Sequence, residues 1–349
     1  MSIPKVNITV SQPRTISRST GHHWFPHTML KQADGTIYLG FSVGADHPDN
    51  LDDMVHGLPH VLFESRDQGW NWFFTASQRM CHDPWPLGTL GDGTVLSLNG
   101  VFMKPSGELY GIGCLSAGDQ VFVEPKEVPI HVPPDLVRPM DPPGPGKTKV
   151  EMCLGRITEL PGGEILSASY GRFQEDVSRR VFILKSTDRG AGWSYLSTVA
   201  ADPDQEYPEG PNEAGIACLP NGDVLCVMRT GTTVPMIQSR SSDGDQTWSA
   251  PETLATNGVC PSLLRLESGI LACSFGRLDD NPSEGNAISF SRDGGETWTE
   301  RIVIAKGPST GYTSMVEMAP GEILYAFDDL GFGWERCNTI KTVNVKVEA

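Results

Sequence analysis

Short runs of alternating apolar and polar residues fill this chain, and turns containing Gly separate them. One unit recurs, in which an apolar stretch, a Gly-containing turn and a second alternating stretch follow each other. The copies lie at 29–42, 88–98, 156–171, 216–229, 262–276 and 315–327. A period of two, broken by a Gly that allows positive φ, is typical of two antiparallel strands joined by a tight hairpin. The pattern therefore predicts six antiparallel hairpins.

A second, shorter unit has the form Ser-x-Asp-x-Gly-x-x-Trp and is known as an Asp-box. Its copies lie at 65–72, 186–193, 241–248 and 291–298, and the third has Asp245 in place of Gly. Ser and Asp side chains hydrogen-bond the backbone of a turn, Gly permits the turn, and Trp covers it. We therefore assign a structural role, and not sugar stacking, to the boxes and their tryptophans, taken as Trp70, Trp193, Trp248 and Trp298.

The boxes that begin at residues 186, 241 and 291 are spaced by the length of one four-stranded propeller blade. The fold class predicted is all-β, a six-bladed β-propeller with Asp-box hairpins, in a single domain over residues 1–349. The segment 101–114 is either the outer half of the second blade or a seventh unit, which leaves a count of seven open. The terminal segments 5–10 and 339–349 are expected to pair and close the ring, which removes exposed edges. The Pro-rich segment 122–149 is expected to be an insertion loop that is unable to join a sheet interior.

Composition excludes several classes of partner. A net charge of −16 argues against nucleic acid and anionic membranes, since both select Lys- and Arg-rich surfaces. No apolar run approaches the 18 residues of a membrane span. The eight cysteines include no CxxC pair, and those in apolar runs indicate buried thiols rather than a disulfide framework or a zinc site. The first residues lack a basic segment followed by an apolar one, which favours a cytoplasmic location unless a leader has been removed, so the location stays open.

The boxes and hairpins together resemble the sialidase (neuraminidase) superfamily of six-bladed propellers over essentially the whole chain. The resemblance implies a glycan substrate and no cofactor. It implies hydrolysis of a terminal sialic acid by a Tyr nucleophile, assisted by a Glu and by an Asp acid/base. Three arginines hold the substrate carboxylate in that family.

Two segments carry the catalytic part of the resemblance. Glu213 and Arg229 bracket one hairpin, as a Glu and an Arg do in the family, and Tyr312 is similar to the family's Tyr before a later hairpin. A carboxylate beside a phenol accepts its proton and raises its nucleophilicity. An Arg on the same wall clamps an anionic group with two parallel hydrogen bonds.

Two further arginines are candidates for binding the substrate. Arg277 resembles the family's later carboxylate-binding Arg, and Arg172 stands at the equivalent strand end one repeat before Arg229. Repetition of one unit brings equivalent positions to one face of a ring.

The chain departs from the family in its first repeat. Phe25 and Pro26 match the end of the family's Arg-Ile-Pro tripeptide, but Trp24 replaces the Arg. His22, His23 and His27 surround this position and could hydrogen-bond a sugar or act as acid/base. No carboxylate-rich ligand pattern accompanies them, so no metal site is predicted.

The family's acid/base Asp lies on a loop after the first hairpin. Here that loop contains Asp46 and Asp49, followed by Asp52 and Asp53. A desolvated carboxyl in this loop would be protonated near neutral pH and could donate to the leaving oxygen. We take Asp46 as the acid/base and Asp49 as a substrate contact.

The function predicted is an exo-acting, retaining glycoside hydrolase that releases a terminal acidic sugar, either sialic acid or a related nonulosonic or uronic acid. Two alternatives stay open at this point. A polysaccharide lyase would use Tyr312 or a His as a base on a uronate while arginines neutralise the carboxylate. A carbohydrate-binding propeller would have no turnover, since propellers serve many functions.

Overall fold

The computed structural model describes residues 5–18, 22–44, 60–74, 87–116, 126–140, 148–276, 285–330 and 339–348. Within these ranges the chain is almost entirely β-strand, as predicted. It divides into two compact units, Met1–Gln78 with Thr256–Ala349, and Arg79–Ala255. Strands are numbered along the whole chain.

The first unit contains both ends of the chain. Its strands are β1 (Ile8–Val10), β2 (Arg14–Arg18), β3 (His22–Lys31), β4 (Ile37–Gly44), β5 (His60–Ser65), β6 (Phe73–Phe74), β21 (Val259–Arg265), β22 (Leu271–Gly276), β23 (Asn286–Ser291), β24 (Ile302–Ala305), β25 (Thr313–Ala319), β26 (Glu322–Asp329) and β27 (Thr339–Val347). They form two four-stranded sheets, β3-β4-β5-β6 and β21-β22-β23-β24, and a five-stranded sheet β1-β27-β26-β25 with β2 also on β27. The pairing of β1 with β27, from Ile8 opposite Val347, confirms that the terminal segments pair.

The second unit contains β7 (Leu87–Thr89), β8 (Val95–Met103), β9 (Leu109–Ser116), β10 (Lys126–His131), β11 (Thr148–Lys149), β12 (Met152–Cys153), β13 (Ile157–Glu159), β14 (Ile165–Gly171), β15 (Arg180–Ser186), β16 (Trp193–Ala200), β17 (Asn212–Cys218), β18 (Val224–Arg229), β19 (Pro235–Ser241) and β20 (Glu252–Asn257). One sheet is β17-β18-β19-β20. The other has ten strands, in the order β11-β8-β9-β10-β16-β15-β14-β12, with β7 on β8 and β13 on β14.

All six predicted hairpins are present, as β3–β4, β7–β8, β13–β14, β17–β18, β21–β22 and β25–β26. Most of their apolar residues are buried, and β14 is packed on both faces, since Ile165 and Leu166 belong to two different hydrophobic clusters. In the first unit Ile270, Phe290 and Tyr325 belong to one such cluster. The number of blades and the closed ring stay predictions.

The Pro-rich segment 122–149 differs from its predicted form. Its residues Lys126–His131 form β10, which pairs antiparallel with β9 and parallel with β16, so this segment does join a sheet interior. Pro129 is tolerated because β16 pairs with β10 only at Ile130 and His131, so that Pro129 lies where β10 has a single neighbour, β9. A 3-10 helix, Pro134–Leu136, follows β10. The prediction of an insertion loop was therefore wrong for this part.

The four Asp-boxes have one shared hydrogen-bond pattern. In each, the Ser hydroxyl donates to the box Asp at 2.8–3.0 Å and accepts the backbone N–H four residues after the Ser at 2.8–3.0 Å. The Asp also accepts the backbone N–H four residues after itself. These bonds lower the pKa of Asp67 to about 2, the bond from Asn71 being the main cause. The predicted structural role of the Ser and Asp residues is confirmed.

In the first box the covering tryptophan is Trp72, and Trp70 was the wrong assignment. Trp72 donates its ring N–H to the carbonyl of Gly69 at 3.1 Å and packs on the core. Trp70 is 64 % exposed, with the Arg14 guanidinium 4.3 Å above its ring. The box spacing of seven residues from Ser to Trp would have identified Trp72 from the sequence.

The cysteines follow the prediction in part. Cys226, Cys260 and Cys273 are buried free thiols, as predicted, whereas Cys218 is a free thiol that is only partly buried. Cys114, which lies outside the apolar runs that carry the prediction, is disulfide-bonded.

No helix in the part of the chain described above is long and apolar enough to cross a membrane.

Asp245 is a strained variant of the box. Its backbone has φ of +70°, a region that favours Gly. Its side chain is fully buried, and neither carboxylate oxygen has a hydrogen-bond partner among the described residues. Burial therefore raises the pKa of Asp245.

We predict that Asp245→Gly stabilises the protein by about 1 kcal/mol at pH 7, because backbone strain and an unpaired buried carboxyl are both removed. Since the folded-state pKa is raised, Asp245 costs least stability at low pH. The advantage of Gly should therefore shrink as the pH falls towards about 4, the ordinary range for Asp. Urea unfolding at both pH values measures this difference. As a control, Asp243→Gly should destabilise, because Asp243 accepts four hydrogen bonds. Equal stability of Asp245→Gly and wild type at pH 7 would contradict the account.

Candidate active site

Three strands, each the first strand of one of the six hairpins, have the same local irregularity. In β3, β17 and β21 the pairing register shifts, because additional residues are inserted opposite a single partner. The first inserted residues are Phe25, Glu213 and Cys260, and their φ angles are +54°, +37° and +47°. Bulges with left-handed residues are costly and occur preferentially near functional sites, where they redirect a side chain.

Glu213 is directed from its bulge onto the neighbouring strand. Arg229, the last residue of β18, lies opposite Asn212 in the register. Its guanidinium donates to Glu213 Oε2 at 2.8 Å, and the two side chains are only 11 % and 9 % exposed. The structure therefore brings the predicted Glu213 and Arg229 together as a nearly buried ion pair.

A second carboxylate, which the sequence analysis missed, also binds Arg229. Glu209 lies in the loop before β17, and its backbone N–H is bonded to the carbonyl of Thr230 at 3.1 Å. The other terminal nitrogen of Arg229 donates to Glu209 Oε1 at 2.7 Å and to Thr232 Oγ1 at 3.0 Å. Arg179 approaches the remaining oxygen of Glu209 at 3.7 Å. Two arginines and two glutamates therefore balance in charge.

This balance changes what Arg229 can do. A substrate carboxylate would have to displace Glu209 or Glu213 before it could form two parallel hydrogen bonds with the guanidinium. A substrate carboxylate would displace Glu209, which is 29 % exposed, from Arg229 more easily than it would displace Glu213, which is 9 % exposed.

Arg172 lies directly after β14 and contacts a different carboxylate. Its Nε donates to Glu151 Oε1 at 2.5 Å, and Arg138 Nε lies 3.5 Å from Glu151 Oε2. Arg138 comes from the Pro-rich segment, and it also donates to the carbonyl of Asp176 at 2.9 Å. Two guanidinium groups on one carboxylate leave a net positive charge here, with Arg172 38 % exposed.

A phenol and a thiol accompany Glu213. Tyr170 lies opposite Cys153 in the pairing of β14 with β12. Burial raises the pKa of Tyr170 well above its usual value, with smaller contributions from Cys153 and from the charge of Glu213. Tyr170 therefore stays protonated and acts as a hydrogen-bond donor. Its position two residues before Arg172 was the only sequence signal for it.

Tyr312 lies in the other unit, one residue before β25. It is half-buried, and the ring of Phe25 meets it edge-on at 4.6 Å between centroids. The Ser314 hydroxyl donates to the carbonyl of Pro26 at 2.7 Å, which fixes the Phe25–Pro26 bulge against β25. His27 is buried, with Nδ1 at 2.9 Å from Thr28 Oγ1 and its ring 6.4 Å from that of Tyr312.

The other predicted site residues lie either outside the described residues or in β3. Asp46, Asp49 and Arg277 lie outside the described residues, and their roles stay predictions. His23 and Trp24 belong to β3, opposite Val43 and Ser42. Among the described residues, no group of three or more His, Cys, Asp or Glu side chains could hold a metal ion.

A comparison with protein families matches residues 120–325 to the BNR repeat-like domain. This match spans more than half of the chain. The chain belongs to this family. A search of curated proteins finds no match.

Solved structures with this BNR-repeat fold come from several proteins. A protein of unknown function from Dyadobacter fermentans DSM 18053 is 23 % identical, with a TM-score of 0.74 over 98 % of this chain and 99 % of its own. The Hadza microbial sialidase Hz136 is 14 % identical, with a TM-score of 0.66 over 91 % of this chain and 65 % of its own. An α-L-arabinanase from Penicillium chrysogenum is 13 % identical, with a TM-score of 0.63 over 96 % and 98 %. At these identities the likeness concerns the fold, which is similar to that of sialidases.

Glu209 neutralises part of the charge of Arg229. Substitution Glu209→Gln should therefore leave Arg229 with an unbalanced positive charge, which would improve the free energy of binding an anion by about 1 kcal/mol at a partly exposed site. If Arg229 binds the carboxylate of an acidic sugar, the Kd for that sugar should fall about fivefold. Titrations followed by NMR, with sialic acid and glucuronic acid as acidic probes and galactose as a neutral probe, measure the effect.

The control for this test is Glu164→Gln, which removes a carboxylate that pairs with Lys185 instead of Arg229. It should leave all three Kd values unchanged. An unchanged Kd for both acidic sugars in Glu209→Gln would show that Arg229 does not bind a substrate carboxylate.

Proposed function

We propose that this BNR-repeat protein is an exo-acting, retaining glycoside hydrolase of the sialidase type. The observation that supports it most is the Glu213–Arg229 ion pair. A bulge with a left-handed residue holds the pair, and it coincides with the Glu and Arg of the family resemblance. A nearly buried carboxylate in a costly backbone conformation is typical of a residue kept for chemistry.

In the proposed reaction Tyr312 is the nucleophile. Its hydroxyl oxygen bonds to the anomeric carbon as the bond to the departing oxygen breaks, and Glu213 takes the phenolic proton. Asp46 protonates the departing oxygen, and water then cleaves the glycosyl–Tyr312 bond in a second displacement. Two displacements retain the configuration at the anomeric carbon. The resemblance assigns Tyr312 and Glu213 to one reaction, and the structure describes each within its own unit.

The terminal sugar of the proposed substrate is acidic. Arg172 and Arg138 share a single carboxylate, and their excess positive charge supports binding of an anionic group. Arg277, Asp49, His23 and Trp24 complete the proposed substrate contacts. Trp24 replaces a family arginine, so a related nonulosonic or uronic acid is favoured over sialic acid itself.

We predict that Tyr312→Phe lowers kcat at least about 10³-fold, because Phe lacks the attacking oxygen. Glu213→Gln should lower kcat at least about 10²-fold, because the amide cannot accept the phenolic proton. Aryl glycosides of sialic acid, related nonulosonates, uronic acids and neutral sugars are assayed with each variant. Tyr195→Phe is the matched control, since it removes a phenol that is bonded to Thr198, and its kcat should equal that of wild type.

Three outcomes of these assays would contradict the proposal. Hydrolysis that persists in Tyr312→Phe would exclude the Tyr nucleophile. A product with a new double bond, detected by its ultraviolet absorbance, would show a lyase. Binding of glycans without turnover of any substrate would show a carbohydrate-binding protein.

A further inference from the structure

The loop that carries Tyr312 is held mainly by one buried side chain, Asp328 near the end of β26. A second buried acceptor, Asn286 Oδ1, lies 3.0 Å from the Ser309 hydroxyl. The Ser309 hydroxyl donates to Asp328 Oδ1 at 2.7 Å, and the backbone N–H of Thr310 donates to the same oxygen at 3.1 Å. The Thr310 hydroxyl donates to Oδ2 at 2.6 Å. Both oxygens of a carboxyl that is 1 % exposed are therefore used to hold the two residues that begin this turn.

The same turn is fixed by its own backbone and by a neighbouring strand. The N–H of Gly311 donates to the Ser309 hydroxyl at 2.9 Å, and the N–H of Leu330 donates to the carbonyl of Pro308 at 3.0 Å. Gly276, at the end of β22, packs so closely that a Cβ there would lie 2.7 Å from the Gly311 Cα. The turn therefore has little room to shift.

Tyr312 follows this turn directly and is confined on its other side as well. Phe25 contacts its ring edge-on at 4.6 Å, and the Ser314–Pro26 bond holds β25 to the same bulge. The direction of the phenol is therefore determined by the turn on one side and the bulge on the other.

Holding a carboxyl in this position costs stability. Burial raises the pKa of Asp328 to about 6, although the donors from Thr310 and Ser309 oppose the shift. Among the described residues, two other titratable groups lie nearby. They are Tyr325 on the same strand, whose pKa the charge of Asp328 helps to raise, and Cys273 on β22. Lys341 on β27 is bonded to Asp329 at 2.5 Å. Asp328 lowers the stability of the folded protein, and its side-chain oxygens accept hydrogen bonds from Ser309 and Thr310 of this one turn. Such a carboxyl indicates that the conformation of the turn is important for function.

We propose that Asp328 is a positioning residue, which holds the Ser309–Gly311 turn so that the Tyr312 hydroxyl points along its line of attack. The inference rests on the proposed role of Tyr312 as nucleophile. Displacing a reacting group by about 1 Å costs on the order of 10²-fold in rate. Asp328 itself does not touch the substrate in this account.

The test compares Asp328→Ala with Asp328→Asn. Asn retains an oxygen that accepts from Ser309 and from the Thr310 N–H, and its amide nitrogen can donate to the Thr310 hydroxyl. It therefore preserves all three hydrogen bonds, whereas Ala removes them. We expect Asp328→Ala to lower kcat about 10²-fold with KM within about threefold of wild type, and Asp328→Asn to retain kcat within about threefold.

Two further variants make the comparison decisive. Asp329→Ala removes the neighbouring carboxyl, whose ion pair is with Lys341, and its kcat should equal that of wild type. Thr310→Val removes a single hydrogen bond, so it should fold even where Asp328→Ala does not, and its kcat should fall about fivefold. Circular dichroism and thermal unfolding of each variant report folding independently of activity.

Failure of this inference is distinct from failure of the proposed function. If Tyr312→Phe is inactive while Asp328→Ala and Thr310→Val keep the kcat of wild type, the positioning role is wrong and the nucleophile stands. If Asp328→Asn loses as much kcat as Asp328→Ala, the hydrogen-bond account is wrong. If Tyr312→Phe keeps full activity, the proposed function itself fails.

Discussion

In the first strands of three hairpins, β3, β17 and β21, regular strand pairing and the placement of candidate site residues impose different requirements on the backbone. A bulge in each strand satisfies both. A regular antiparallel ladder would direct successive side chains to opposite faces of the sheet. An inserted residue with positive φ, such as Glu213 in β17, breaks that alternation and redirects the side chain. Because the hydrogen bonds on either side of the bulge are retained, the sheet supplies the stability that the strained residue lacks. The position of every candidate site residue near a bulge depends on this compromise.

Charge balance is the second constraint on the site. Arg229 is bonded to two carboxylates, and each of its partners removes positive charge that a substrate anion would otherwise meet. The pair of arginines on Glu151 retains an excess of one positive charge. An overall charge of −16 therefore coexists with a local cluster in which cations exceed anions. In the proposed function, recognition of an acidic sugar would depend on which of these carboxylates a substrate anion displaces.

Repeated local patterns made much of the fold predictable. Six hairpins and the Asp-box turns followed from alternation and turn chemistry, which act within about fifteen residues. The pairing of the two terminal segments followed instead from the expectation that exposed strand edges are removed. The strand β10 was missed, because the prolines of the segment 122–149 suggested a loop, while its parallel neighbour β16 lies far along the chain. The disulfide at Cys114 depends likewise on tertiary packing. The strain at Asp245 was indicated by the sequence, because Asp replaces the Gly of the box there.

The candidate site was predictable only where the family resemblance reached. Glu213 and Arg229 were found as a pair, and they do contact each other. Glu209, Glu151 and Arg138 were missed, because loop residues acquire partners only through the folded chain. Asp328 was missed for a similar reason, since an acidic residue at a strand end reads as exposed. Its burial and its three donors exist only in the tertiary structure.

The central claim is that Tyr312 bonds covalently to the sugar. A substrate with fluorine beside its anomeric carbon and a good leaving group slows the second displacement and lets the glycosyl–protein intermediate accumulate. Peptide mapping by mass spectrometry then locates the added sugar. The account predicts that its mass is found on the peptide that contains Tyr312, and that it is absent in Tyr312→Phe. A sugar attached to Glu213 or to another residue, or rapid release of the leaving group with no adduct at all, would contradict it.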